Sequence, residues 1–332
     1  MKPMPPSTWS RVSGIARAAR SDRGAREQRR GRVQGRIGVP RPACATFRLV
    51  RVAFTSDLHI DHHPDLVELI AARVAGAADV VVVAGDVSPK LAKLADALRR
   101  LRAAGPVVVF VPGNHDLWCG PGTPDSRSRY FDVFPELCAA AGAVYLPSGP
   151  LALDGVTLAG QMGWYDYSLR DPELDAVVPL AAYARGSLGP IAWMDKQFIV
   201  WPGYDDRALT RLMAERLAAD LAAAPRDAPV WVVTHMLPFV ELVARRPLPW
   251  GFVNAFLGAT ALGAEIVAAT AAGVPVARAV SGHTHFRRTA TIAAGDRVIE
   301  AETSPIGYPR EVQLQAASLR EHVAARVVIR TV

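Results

Sequence analysis

Five short segments spread over about 230 residues carry side chains that can ligate metal or move protons: Asp57-Leu58-His59, Gly85-Asp86, Gly113-Asn114-His115-Asp116, Thr234-His235 and Gly282-His283-Thr284-His285. The mix of carboxylate, carboxamide and imidazole fits a centre of two divalent cations. Such a pair, roughly 3.5 to 4 Å apart, needs a shared anionic oxygen, and a carboxylate supplies two hard donor atoms with a full negative charge. Asp86 is the natural bridge. Imidazole nitrogen beside carboxylate or amide oxygen suits Mn, Fe, Zn, Ni or Co better than Ca or Mg. No cysteine lies in these segments, which argues against a closed thiolate zinc site. Gly85, Gly113 and Gly282 are expected to let the backbone turn where each ligand projects.

Each segment closes or follows a run rich in β-branched residues: Val52 to Thr55, Val80 to Ala84, Val107 to Val111, Trp231 to Val233 and Val276 to Ser281. Helical spacing over Leu66 to Ala75 and Leu91 to Ala103 separates the first three runs. This is a βαβαβ pattern with short connections, so parallel strands gather their ligands at the carboxyl ends. The later half differs. Leu151 to Leu153, Asp154-Gly155 and Val156 to Ala159 predict a hairpin. Thr289 to Ile292, Val298 to Ala301, Glu311 to Leu314 and Ala325 to Ile329 predict successive antiparallel strands. Two mixed sheets packed face to face and covered by helices accommodate both halves, an α/β fold.

Any one of the five motif histidines, taken alone, reads equally as a hydrogen-bonded residue at a strand end. The chain has eight histidines in all, and the motifs leave only His62, His63 and His322 outside them. Such concentration argues for a joint role. His62 and His63 continue a polar Asp61-His62-His63-Pro64 loop and are read as loop residues. Asp116 fits either orientation of a neighbouring histidine or a helix N-cap.

The ordered set Asp-x-His, Gly-Asp, Gly-Asn-His-Asp, His and Gly-His-x-His resembles the calcineurin-like metallophosphoesterase superfamily, from about Val50 to the C-terminus. The resemblance implies a four-layer α/β/β/α sandwich and a dinuclear site. It implies Asp57, His59, Asp86 and His285 on one metal and Asp86, Asn114, His235 and His283 on the other. His115 would stand beside them and donate a proton to the leaving group. The activity implied is metal-dependent phosphoester hydrolysis. Departures from relatives narrow it: Val87-Ser88-Pro89-Lys90 lacks the Val-Asp-Arg-Gly of serine/threonine protein phosphatases, and Pro89 stands where purple acid phosphatases carry a tyrosine ligand. Lipid A-pathway pyrophosphatases have arginine where His115 stands. The pattern is nearest to cyclic-nucleotide phosphodiesterases and to the nuclease branch. A phosphodiester or phosphomonoester of a small molecule or nucleotide is the expected substrate, with a nuclease as the alternative and a non-catalytic scaffold of this fold a more remote one.

The formal charge of the 332 residues is +7. Residues 1–45 hold Lys2 and ten arginines against Asp22 and Glu27, or +9, so the rest of the chain carries −2. The body is therefore not basic, which weakens the nuclease reading. The basic segment, rich in Arg, Gly, Ser and Pro without apolar periodicity, is read as disordered. It could be a flexible tail, an upstream start of the reading frame, or an arm for nucleic acid or a membrane surface. It lacks the apolar run of a secretory signal, and no stretch is long and apolar enough for a membrane span. Cys44, Cys119 and Cys138 form a sparse, odd set, so a disulfide framework is not expected and a cytoplasmic location is. Residues 46–332 are expected to form the metallophosphoesterase domain.

Between about 160 and 206 an aromatic, charged insertion interrupts the pattern. Such insertions are commonly lids or substrate loops. Trp164 and Tyr165 are candidate rim residues because Gly163 closely follows an expected strand, although packing of the insertion would explain them too. A second irregular stretch, Pro238 to Phe256, offers Arg245 and Arg246 as phosphate-holding candidates.

Overall fold

A computed structural model describes residues 49–248 and 250–332, so the basic segment 1–45 and Cys44 lie outside the described residues. The strands are β1 Arg51–Thr55, β2 Val80–Ala84, β3 Val107–Val111, β4 Val144–Tyr145, β5 Leu151–Leu153 and β6 Val156–Gln161. There follow a small hairpin of β7 Ser187–Leu188 and β8 Ile191–Ala192, then β9 Val230–Thr234, β10 Val276–Ser281, β11 Arg288–Ala294, β12 Arg297–Thr303 and β13 Val328–Thr331.

One sheet has the order β13-β1-β2-β3-β4, the other β11-β12-β10-β9-β6-β5. In the first, β1 to β4 run parallel and β13 is antiparallel to β1. In the second, β6, β9, β10 and β12 run parallel, flanked by antiparallel β5 and β11. Both sheets are thus mixed, as the sequence suggests. The β-branched runs form central strands because these parallel segments are covered on both faces. Val80 through Val83 are all fully buried, and burial of each such valine contributes on the order of 1.5–3 kcal/mol.

Strand alternation divides the core in two. Val52, Phe54, Val82, Val109 and Val111 pack against Leu158, Trp231, Val233 and Val280 of the other sheet. Their neighbours Ala53, Val81, Val83, Val108 and Phe110 belong to a second cluster with Leu66, Ile70, Leu94 and Leu98 of the helices Leu66–Val74 and Leu91–Ala103. On the far side, Val230 and Val232 share that cluster with Leu217 and Ile266 of the helices Asp206–Ala223 and Thr260–Ala271. The result is a helix, sheet, sheet, helix sandwich.

Two expected strands differ. Glu311 to Leu314 lies in the helix Pro309–Gln315, and Ala325-Arg326 closes the helix Leu319–Arg326 before β13 begins at Val328. The polar-apolar alternation Glu311-Val312-Gln313-Leu314 has strand period. Pro309 in the first turn and Glu311 at its third position, accepting from the Tyr308 backbone N–H at 2.7 Å, favour a helix start instead. The insertion folds into short pieces, including the helices Leu180–Arg185 and Asp195–Phe198 and the β7–β8 hairpin. Among the described residues no helix is long and apolar enough to cross a membrane.

Candidate metal centre

The carboxyl ends of β1, β2 and β3 meet those of β9 and β10 where the two sheets' tips converge. Backbone contacts weld the junction. Asp57 N–H donates to Gly85 O at 2.9 Å, His59 N–H to Asp86 O at 2.9 Å, and Gly282 N–H to His235 O at 3.0 Å. Across the sheets, the His283 N–H reaches both Asp57 carboxylate oxygens at 2.9 and 3.0 Å.

The loops are under local strain. Among the described residues six non-glycine positions have positive φ, and five are candidate ligands: Asp57 (53°), His59 (41°), Asp86 (56°), His283 (69°) and His285 (54°). Left-handed backbone at such residues costs of order 1–3 kcal/mol each and persists where function demands the geometry. Of the three motif glycines, Gly85 has φ of +85°, as a sharp turn requires. Gly113 serves close approach instead: an added Cβ would lie 2.1 Å from Asp86 Oδ1.

Asp57, His59, Asp86 and His285 bring one donor atom each within 4.8 Å of one another, and so do Asp86, His235 and His283. His285 Nε2 lies 3.3 Å from Asp57 Oδ1 and 3.0 Å from His59 Nε2. His235 Nε2 is 3.4 Å from Asp86 Oδ1 and 3.0 Å from Asn114 Oδ1. Asp86 belongs to both groups. Its Oδ2 is buried with no hydrogen-bond partner, although Oδ1 accepts the His115 N–H at 2.8 Å. A buried anionic oxygen without a donor is costly, and a cation there would remove the cost. These donors therefore fit a pair of divalent cations.

Supporting groups fix which ring nitrogen faces inward. His235 Nδ1 lies 2.8 Å from Ala84 O, which can only accept, so Nδ1 carries a proton and Nε2 is the nitrogen available to a cation. His283 Nε2 is similarly tied to Phe256 O at 3.2 Å, leaving Nδ1 free. His285 Nδ1 is held by the Glu311 carboxylate at 2.8 Å. The Tyr308 ring stacks on His59 with centroids 4.2 Å apart.

Electrostatics follow from buried anions beside imidazoles. Burial alone would lower His285, but hydrogen bonds to Asp57 and Glu311 outweigh it and raise its pKa to about 10. His235 likewise rises to about 9, because Asp86 outweighs burial. Burial dominates at His59 and His283, which fall to about 3 and stay neutral. For Asp57, burial is outweighed by the hydrogen bond and charge of His285, holding it at about 2.

Asp116 is neither a ligand nor a support for His115. Its carboxylate accepts the backbone N–H groups of Asp86, Val87, Ser88 and Gly113 at 2.8–2.9 Å, tying the β2 and β3 loops together. Burial and the adjacent Asp86 carboxylate push it up to about 7, while the four donors favour its ionised form. His115 lies beside the cluster, its Nε2 4.0 Å from Asp86 Oδ2 and its ring stacked on Trp118 at 3.8 Å. Its side chain keeps 20% exposure, against 1% for Asp86.

The insertion contributes a group that the sequence motifs do not signal. Asp195, 1% exposed, accepts Asn114 Nδ2 at 2.9 Å, Trp118 Nε1 at 2.7 Å and Trp193 Nε1 at 3.0 Å. It thereby orients the Asn114 amide so that Oδ1 faces His235. Glu311 was equally hidden, since its segment has strand alternation.

Trp164 and Tyr165 do not form an open rim. They are 1% and 0% exposed, stacked on each other at 4.5 Å, with Trp164 Nε1 donating to Asp206 at 3.1 Å. They form an inner wall of a cavity of about 510 Å³ inside the insertion, together with Lys196, Trp201 and Tyr204. Arg245 is exposed and lies 3.8 Å from Asp171. The Arg246 guanidinium sits 4.2 Å over the ring of Phe286, the residue after His285. Cys119 and Cys138 are free thiols.

Among solved structures, the phosphopantetheinyl hydrolase PptH from Mycobacterium tuberculosis aligns over 86% of this chain and 97% of its own, with 22% identity and a TM-score of 0.66. A dimetal phosphatase from Danio rerio aligns over 77% of this chain and 87% of its own, with 14% identity and a TM-score of 0.45. No curated protein sequence matches the chain. The family model for calcineurin-like phosphoesterase matches residues 50–287, a span that starts just before β1 and takes in all five motifs. With its two-sheet fold and the donors gathered at its strand tips, the chain belongs to the calcineurin-like phosphoesterase family and is a metal-dependent phosphoric ester hydrolase.

Proposed function

We propose that this chain hydrolyses a phosphodiester or phosphomonoester of a small molecule or nucleotide at a dinuclear centre. In this reading Asp57, His59, Asp86 and His285 hold one divalent cation, and Asp86, Asn114, His235 and His283 hold the other. The observation that carries it is the Asp86 carboxylate, shared by both donor groups and buried with Oδ2 unpartnered. The donor mix favours Mn, Fe, Zn, Ni or Co. Bound there, such cations lower the pKa of water toward about 7 and offset charge on the phosphoryl oxygens.

The chain's own residues do the rest. Glu311, Ala84 O and Phe256 O hold the imidazoles in the tautomers that direct lone pairs inward. Asp195 orients Asn114. His115, at the more open edge of the cluster, donates a proton to the departing oxygen, a role suited to an imidazole. The free thiols Cys119 and Cys138 fit a reducing, cytoplasmic setting.

Turnover by metal-reconstituted protein tests the reading with p-nitrophenyl phosphate, its bis ester, 2′,3′- and 3′,5′-cyclic nucleotides and single-stranded DNA. A phosphopantetheinyl ester belongs in the panel because the structurally similar mycobacterial protein is a phosphopantetheinyl hydrolase. The expected result is metal-dependent turnover of small esters. Turnover confined to DNA would replace this reading with the nuclease one. In parallel, Asp86→Ala is expected to lose both metals by elemental analysis, and a full complement in that variant would remove the shared-bridge arrangement.

A further inference from the structure

Where β11 begins and the helices Pro309–Gln315 and Leu319–Arg326 close beside it, a cavity of about 510 Å³ is lined by Arg287, Arg288, Arg326, Gln315, Glu321 and Ala325, among others. None of its lining residues is a candidate metal ligand or belongs to the insertion. Among the described residues, none of the three arginines forms an ion pair with a carboxylate. Their few contacts are weak or neutral. Arg287 Nη1 reaches Ala325 O at 3.4 Å, and Arg326 Nη2 meets the Gln315 amide oxygen. The Arg288 Nε and Arg326 Nη1 donors are buried with no partner at all. The one acid in the lining, Glu321, makes no ion pair with these arginines, and its Oε2 accepts the Ala317 N–H at 3.1 Å.

Guanidinium stays charged at all accessible pH. Burying the Arg288 and Arg326 donors unpaired is costly, and the exposed Arg287 beside them adds like-charge repulsion. Burial and the nearby Arg287 indeed push Arg326 down from its ordinary pKa. Such donors call for an acceptor, supplied by water or by an anion. The three guanidiniums enter from two separate elements, β11 with its leading loop and the helix Leu319–Arg326. A planar carboxylate offers its lone pairs in one plane, whereas a tetrahedral phosphate offers oxygens in several directions and matches the guanidinium fork. We propose that this cavity is an anion site that binds a phosphate dianion through Arg288 and Arg326, with Arg287 completing the charge. The dianion is either the free inorganic ion or the phosphate group of a small molecule, whose organic body the remaining volume would accept. The site is separate from the hydrolytic centre and does not depend on which ester is cleaved there.

Isothermal titration of the full-length, metal-loaded protein tests this, with inorganic phosphate in one arm and phenylphosphonate in the other. The expected result is two phosphate ions per wild-type chain and one per chain of the double variant Arg288→Gln/Arg326→Met. Inhibition of p-nitrophenyl phosphate hydrolysis by phosphate reads the catalytic centre separately and should change less than twofold. Thermal melting without phosphate should leave the variant at least as stable as wild type, because a neutral group replaces an unpaired charge. If the double variant does not fold, Ala325→Glu serves instead: its carboxylate at the cavity wall should displace the same single ion. Phenylphosphonate competing for the second site assigns the cavity to phosphorylated small molecules, and its exclusion assigns it to the free ion. A phosphate stoichiometry that is the same in wild type as in the double variant or in Ala325→Glu would overturn the proposal.

Discussion

At the scale of single residues, position separates the roles of groups with the same chemistry. His59, His235, His283 and His285 turn a ring nitrogen toward Asp57 or Asp86 at the strand tips, and three of them have the opposite nitrogen anchored. His115 has no anchored nitrogen, stacks on Trp118 and keeps the greater exposure. Its replacement should therefore leave the metals in place. His115→Ala is expected to retain a full metal complement while slowing hydrolysis by roughly 10²- to 10⁴-fold for esters whose leaving oxygen needs a proton. The loss should shrink for p-nitrophenyl esters, because nitrophenolate departs without one. Loss of a metal, or equal slowing of both ester types, would make His115 a ligand instead. The histidines and aspartates of this cluster were legible in the sequence because each follows a β-branched run, with a glycine marking the turn in three of the five segments. Asp195 was not, since its partners Asn114 and Trp118 lie about 80 residues away and meet it only after the insertion folds back.

Single elements act on the centre through second contacts. The helix Pro309–Gln315 begins beside the cluster, and its Glu311 accepts from both the Tyr308 N–H and the His285 ring. Anchoring of this kind typically contributes 10- to 100-fold in metal affinity. Glu311→Ala is expected to weaken metal retention by about that factor, measured by chelator competition, while Glu311→Gln, which still accepts from Nδ1–H, should recover most of it. Four residues of local alternation could not reveal this helix, because its start is set by Pro309 and by a side chain bonding back to the backbone. On the opposite side, the helix Asp206–Ala223 docks on the end of β6 through Asp220, whose carboxylate accepts from Gln161 Nε2. Burial raises Asp220 from 3.8 to about 6, partly offset by that hydrogen bond and by Arg216. The folded carboxyl thus holds its proton more tightly than the unfolded one. The resulting penalty on stability is absent below about pH 4, grows as pH rises and is complete above about pH 6. Asp220→Asn should accordingly stabilise the protein at pH 8 by about 1–3 kcal/mol and by much less at pH 4. Equal gains at both pH values in thermal melts would show that ionisation is not the cause.

On the scale of the whole molecule, the centre exists only where two sheets meet. Asp57, Asp86 and Asn114 come from one sheet's tips, His235, His283 and His285 from the other's, and the bonds His283 N–H to Asp57 and His235 Nδ1 to Ala84 O cross between them. Burial of the strands between two sheets and their covering helices was readable from the β-branched runs, whereas the meeting of the tips follows from the packing of Val52, Val82 and Val109 against Trp231 and Val233. The five motifs fall between residues 57 and 285, and the family match begins at residue 50. The segment 1–45 carries +9 on a body of −2 and supplies no motif residue. Deletion of residues 1–45 is therefore expected to leave the melting temperature and kcat/KM for small esters unchanged within experimental error. Two measurements separate the roles the segment could have. A truncated chain that melts normally but has lost turnover would place the arm in the substrate site. One that melts several degrees lower with its specific activity intact would make it part of the packing, through contacts the sequence pattern gives no reason to expect.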